Sequence, residues 1–207
     1  MEYFITGTDT DAGKTYVTCL LLKALAAQRE CAAGFKPVTC GGREDAEALA
    51  KASVPELTID EVNPCVFKSP AAPLAAGWIE NQTADPDAIL AALDKVRAKY
   101  PNILIEGAGG WEVPLAPGLS MADLAVKIGA PVILVVANRL GALNHTILTV
   151  KSIQQYGLEC AGIILNHVAD ERDSASISNR AVLEEILPDV PVIADILHGE
   201  TEIDWPF

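Results

Sequence analysis

The sequence predicts an α/β domain built around a mainly parallel sheet, on two observations. Short Val- and Ile-rich runs alternate with longer segments of helical period, and several of the runs are apolar at every position. Runs apolar on both faces suit strands covered on both sides, as in parallel sheets. The strand candidates are residues 3–6, 32–36, 103–106, 132–137, 162–166 and 192–194. A helix over 14–28 places Val17, Leu20, Leu21, Ala24 and Leu25 along one face. Asp85 followed by Pro86 is an N-cap and first-turn pair, and Ile89, Leu90, Leu93 and Val96 form the stripe behind it. Residues 144–156 and 174–186 complete the helices. The Pro- and Ala-rich stretch 54–83, with "NPCVFKSPAAPLAAGW" at its centre, reads as an irregular excursion. No repeat or low-complexity linker interrupts the chain, so 1–207 is expected to be a single domain.

Composition narrows the function. Apolar residues make up 50% and charged residues 21%, a globular balance. The formal charge of −13 argues against a nucleic-acid partner, which calls for a basic face, and against an anionic membrane surface. Cys19, Cys31, Cys40, Cys65 and Cys160 are scattered and odd in number, with no Cys-x-x-Cys pair. They read as free thiols of a reducing compartment. The opening "MEYFITG" already looks like a core strand, and the longest apolar run, "PVILVVA", is too short to span a bilayer. A soluble, cytoplasmic protein is expected.

In a parallel sheet, ligands gather where strands end. After the first strand comes "GTDTDAGKT", and Gly13-Lys14-Thr15 opens the first helix. Phosphate-binding loops carry Gly, four residues, then Gly-Lys-Ser/Thr, whereas five residues separate Gly7 from Gly13. The placement still fits an anion: backbone N–H groups at a helix start, a lysine, and a hydroxyl able to ligate Mg²⁺. Lys36 lies at the end of the second strand, held from behind by Pro37 and followed by Thr39, Cys40 and two glycines. It reads equally as a solvated lysine or as the group that holds a transferring phosphoryl. Asp45, with Glu44 and Glu47 as competitors, suits either a helix first turn or a metal site. Glu106 ends the third strand before a glycine-rich loop and takes the place usual for a Mg²⁺ partner. "NRLGALNHT" offers free N–H groups near Ala142, Leu143 and Asn144, and the Asn166 amide can pair with a base. His145 and His167 are not at metal spacing, and no Ser/His/Asp set is placed for nucleophilic attack. The residues point to electrostatic catalysis of phosphoryl transfer.

"GTDTDAGKT", "KPVTCG", "EDAEAL", "EGAGGWEVPL" and "NRLGALNHT", in this order, resemble dethiobiotin synthetase from Thr6 to Asn166. The longer loop is that family's own variant. The resemblance implies a P-loop NTPase-like domain, with a mostly parallel central sheet flanked by helices on both faces. It implies ATP-dependent carboxylation of 7,8-diaminononanoate by CO₂ to dethiobiotin, ADP and phosphate, the penultimate step of biotin biosynthesis. The steps would be an N-carbamate, a carbamic-phosphoric anhydride and ring closure. By the same resemblance Lys36 and Lys14 act in catalysis, and Asp11, Ala12, Gly13, Lys14, Thr15 and Tyr16 hold the ATP phosphates. Thr15, Asp45 and Glu106 hold Mg²⁺, beside Gly107, Ala108 and Gly109. Asn166 and His167 meet the base under Ile196, Leu197 and His198. Thr10, Lys36, Cys40 and Gly109 meet the substrate, whose carboxylate is held by Ala142, Leu143 and Asn144 of the other subunit of a homodimer. Cys40 stands where the family usually has serine. A nucleotide switch of the ParA/MinD type would carry an extra lysine early in the loop, and none lies between Gly7 and Ala12. A cobyrinate-type amide synthetase would need a glutamine-handling domain as well.

Overall fold

The fold comes from a computed structural model that describes residues 1–206. In chain order it runs β1 (Glu2–Gly7), α1 (Lys14–Ala27), β2 (Ala32–Phe35), β3 (Val38–Cys40), α2 (Glu44–Ala52), α3 (Ile59–Val62), β4 (Cys65–Phe67), α4 (Pro73–Glu80) and α5 (Pro86–Arg97). There follow β5 (Asn102–Gly110), β6 (Pro114–Ala116), β7 (Leu119–Ser120), α6 (Met121–Ile128), β8 (Val132–Ala137), α7 (Ala142–Gln155), β9 (Cys160–Asn166), α8 (Ser174–Ile186) and β10 (Val192–Ile196).

Six strands form one parallel sheet in the order β10-β9-β8-β1-β5-β2. All six β8 residues, "VILVVA", are buried, as an inner strand covered on both faces requires. The chain moves one way across the sheet from β1 to β2 and the other way from β8 to β9. Right-handed crossovers therefore put α1 and α7 on opposite faces. The two directions diverge at β1, so a crevice opens at its carboxyl end, where parallel sheets bind ligands.

Two expectations needed correction. The stretch 54–83 is not irregular: α3, β4 and α4 lie within it. Thr58 and Glu61 form a capping box on α3, β4 pairs with β3, and Pro73 opens α4. Elements of four, three and eight residues are too short to show a hydrophobic period. The strand through Glu106 does not end there but continues to Gly110, where Gly110 pairs with Gly7 after a register shift. Helix α6 is also absent from the sequence-based set, although Ser120 and Asp123 form a capping box. Among the described residues no helix is long and apolar enough to cross a membrane.

Candidate functional site

Strand register assembles the site. Ile105 pairs with Phe4 of β1 on one side and Phe35 of β2 on the other. One residue further along, Ile5, Glu106 and Lys36 therefore come together at the carboxyl edge. The loop after β1 turns into α1 through Gly13, whose φ of +83° is left-handed. A Cβ there would lie 2.2 Å from Asn166 Nδ2, so only glycine fits.

Lys14 and Lys36 are buried, at 4% and 3% exposure, which lysines tolerate only with partners. The Lys36 ammonium lies 2.6 Å from Glu106 Oε1 and 2.9 Å from Asp45 Oδ2. The Thr15 hydroxyl donates to the same Glu106 Oε1 at 2.7 Å. Lys14 Nζ donates to the Asp9 and Thr10 carbonyls at 3.0 and 3.1 Å, so the loop curls around it. Burial, then the charge of Lys36, bring the Lys14 ammonium down to about 8. Burial also works against the Lys36 ammonium, but Glu106 and Asp45 outweigh it and hold its pKa above the ordinary value. Burial works against the Asp45 carboxylate as well, and Lys36 more than offsets it, so its pKa is lowered.

Glu106 Oε2 is buried with no hydrogen-bond partner. A bare carboxylate oxygen in a core is costly, which leaves this one poised for a cation. Two carboxylates and the Thr15 hydroxyl are hard oxygen donors that suit Mg²⁺. Among the described residues no group of three or more His, Cys, Asp or Glu side chains could hold a metal by itself. A cation here would complete its shell with ligand phosphates and water, as Mg²⁺ commonly does.

Two cavities meet at this point. A cavity of about 490 Å³ is lined by Asp11, Gly13, Lys14, Thr15 and Tyr16 together with Thr10, Lys36, Asp45 and Gly109. The other, about 620 Å³, has Val38, Thr39, Cys40, Gly41, Gly42, Glu44, residues 70–73, Ala108 and Val113 in its wall. Thr10, Lys36, Asp45 and Gly109 line both. Burial first, then the nearby Cys65 and Glu80, push the Cys40 thiol up to about 11, so it faces the larger cavity protonated. Of the three carboxylates the sequence left open, Asp45 reaches Lys36, Glu44 lines the larger cavity, and Glu47 lines a separate hollow.

The other expected site residues, apart from Ala108, line neither cavity. Asn166 donates its amide to the Ala12 carbonyl at 2.9 Å and so sits beneath the loop. The buried His167 ring lies 2.7 Å from Asp195 Oδ1 and 3.1 Å from Asn138 Nδ2. Ile196 is buried, whereas Leu197 and His198 form an exposed turn. Ala12 is fully buried, and Gly107 offers its carbonyl to Lys36 at 3.5 Å. Ala142, Leu143 and Asn144 begin α7 without a side-chain cap and line neither cavity of this chain. Val38, Val113 and residues 70–73 were not expected in the site. For residues 70–73 the "SPAAP" run, stiff and poor in hydrogen-bond donors, is a signal the sequence carries; Val38 and Val113 have none.

The chain matches the family described as an AAA domain over residues 1–199. An ATP-dependent dethiobiotin synthetase from Akkermansia muciniphila is 45% identical over 203 residues, covering 98% of this chain and 95% of that protein. One from Aromatoleum aromaticum is 39% identical over 204 residues, covering 95% and 90%. Among solved structures, a ParA family ATPase from Chlorobium tepidum aligns with a TM-score of 0.61 at 13% identity, over 96% of this chain and 85% of that one. The septum site-determining protein MinD of Pyrococcus horikoshii, complexed with Mg-ADP, aligns at 0.59 and 20% identity, over 95% and 82%. At these identities the structural likeness is one of fold.

Proposed function

The chain belongs to the ATP-dependent dethiobiotin synthetase family, and on that premise we propose how its two cavities divide the reaction. The smaller cavity takes the ATP phosphates, held by the loop N–H groups and Lys14 at the start of α1. Thr15, Asp45 and Glu106 hold Mg²⁺, which when bound neutralises phosphate charge. The larger cavity takes 7,8-diaminononanoate, its aliphatic part against Val38, Val113 and residues 70–73 and its amines toward Thr10, Cys40 and Gly109.

One amine adds to CO₂ and loses a proton, giving an N-carbamate. A carbamate oxygen then attacks the γ-phosphorus and ADP leaves. The second amine attacks the carbonyl carbon of the resulting carbamic-phosphoric anhydride, the ring closes as that nitrogen loses a proton, and phosphate departs. Lys36, on the wall common to both cavities, holds the carbamate and meets the charge that develops during transfer. That buried ammonium between two carboxylates is the observation that carries the reading.

Asn166 and His167, with Ile196, Leu197 and His198, form the nucleotide end. Ala142, Leu143 and Asn144 of a second subunit bind the substrate carboxylate at their helix start, which makes the working form a homodimer. The enzyme acts in the cytoplasm, as one domain, without nucleic-acid or membrane partners. Purified protein with Mg²⁺-ATP, bicarbonate and 7,8-diaminononanoate is expected to form dethiobiotin and ADP one for one by mass spectrometry, and neither without bicarbonate. ATP hydrolysis without dethiobiotin would favour a nucleotide switch, which the ParA- and MinD-like fold also permits.

A further inference from the structure

Lys36 sits where the sheet no longer holds it. It follows the last paired residue of β2, Phe35, and β2 is the edge strand. Its peptide is gripped instead by the end of α3. The Lys36 N–H donates to the Val62 carbonyl at 2.9 Å, and the Lys36 carbonyl accepts from Asn63 Nδ2, also at 2.9 Å. We propose that Asn63 is a positioning residue that sets Lys36 between its carboxylates. This deepens the reading of Lys36 given above and rests on it.

Asn63 is 2% exposed, and its amide is fully used. Nδ2 also donates to the Cys65 carbonyl at 3.0 Å, while Oδ1 accepts from the Thr39 hydroxyl at 2.9 Å and from Arg43 Nε at 3.1 Å. A side-chain amide offers two donors and two acceptor sites, and each has a partner. Three of these partners lead to the site, Lys36 directly. Thr39 lines the larger cavity, and Arg43 is the N-cap of α2, whose first turn carries Asp45. Arg43 in turn donates to the Ile59 and Asn63 carbonyls at 3.0 and 3.2 Å and pairs with Asp60 at 2.8 Å. One buried amide thus ties the Lys36 peptide to the helix that presents one of the two carboxylates around its ammonium. No other side chain of this size donates twice and accepts twice, so neither Asp nor Leu can take its place.

The test is Asn63→Asp, which keeps the acceptor for Thr39 and Arg43 but removes both donors. Turnover is expected to fall about tenfold to hundredfold, the scale of a misplaced catalytic group. The KM for ATP should stay within about twofold, because the phosphate loop is untouched. An amide that only supports the fold would lower the melting temperature and leave kcat of the folded protein within about twofold of the parent, and that result overturns the proposal. Lys36→Gln measured alongside separates the two claims. If it is inactive while Asn63→Asp is fully active, only the positioning role fails. If Lys36→Gln is active, the reading of Lys36 fails and the inference falls with it. Should Asn63→Asp not fold, Arg43→Met removes the guanidinium that braces the amide from a partly exposed position. It is expected to lower kcat about threefold to tenfold with the ATP KM unchanged, and an unaltered kcat overturns the proposal equally.

Discussion

The two cavities are built from opposite materials. The smaller is lined mainly by one continuous stretch within residues 10–16, closed by Lys36, Asp45 and Gly109, and that stretch brings backbone N–H groups, a hydroxyl and a buried ammonium. The larger draws its wall from three separated stretches, 36–45, 70–73 and 108–113, and presents prolines, alanines and valines beside a few polar groups. An anion is recognised by local backbone geometry and charge, and one turn can supply both. An aliphatic ligand is recognised by shape, which requires surfaces from distant segments. Lys36 and Asp45 stand on the common wall, where charge handling meets shape.

The largest effect should come from that wall. Lys36→Gln is expected to lower kcat about 10²–10³-fold, in line with the loss of one electrostatic donor at a transition state. Circular dichroism should still report a folded chain, and near-normal turnover would move the chemistry away from the seam. Glu106→Gln removes the charge that Lys36 leans on at 2.6 Å as well as the carboxylate offered to the metal. The Mg²⁺ concentration for half-maximal activity should rise by about tenfold to hundredfold, the scale on which metal sites respond to a lost partner. A magnesium titration unchanged by the variant would remove Glu106 from the metal shell.

Gly109→Ala tests how tightly the cavities share their boundary. Gly109 has a φ of +66°, and a Cβ there would lie 2.7 Å from Val113 Cγ2. Denaturant unfolding should show a loss of about 1–2 kcal/mol for the left-handed backbone. The KM for the diamine should rise as Val113 is displaced into the larger cavity, and a diamine KM at the parent value would place Val113 outside the substrate wall. Cys40→Ser acts on the larger cavity alone. A hydroxyl donates better than a thiol, so the diamine KM should fall about twofold to fivefold while the ATP KM holds.

The smallest effect concerns pH. Burial pushes the thiols of Cys40 and Cys65 up to about 11 from an ordinary 9.0. Above that ordinary value the unfolded chain releases these protons while the folded chain keeps them. Their contribution is therefore intact below about pH 9 and is lost as the pH rises toward about 11. Urea unfolding across that window should show falling stability, with a shallower decline in Cys40→Ser. An identical slope in the two proteins would mean that Cys40 does not titrate as its burial implies.

Much of the fold was legible because its signals are local. Short apolar runs placed the six sheet strands, the Asp85-Pro86 pair placed the start of α5, and Gly-Lys-Thr after a strand placed the turn into α1. These follow from side-chain periodicity, capping and backbone geometry within a few residues. Three things were not legible. Short elements between 54 and 83 show no period, so the residues that grip Lys36 looked like loop. The choice among Glu44, Asp45 and Glu47 depended on which face of α2 meets β2. The extent of β5 depended on Gly110 finding Gly7 across 103 positions of chain (110 − 7). The sequence by itself determined which residues could carry charge at a strand end. Only tertiary structure decided which charges meet, because parallel register, not sequence distance, sets Lys36 beside Glu106 and buries both where water cannot weaken the contact.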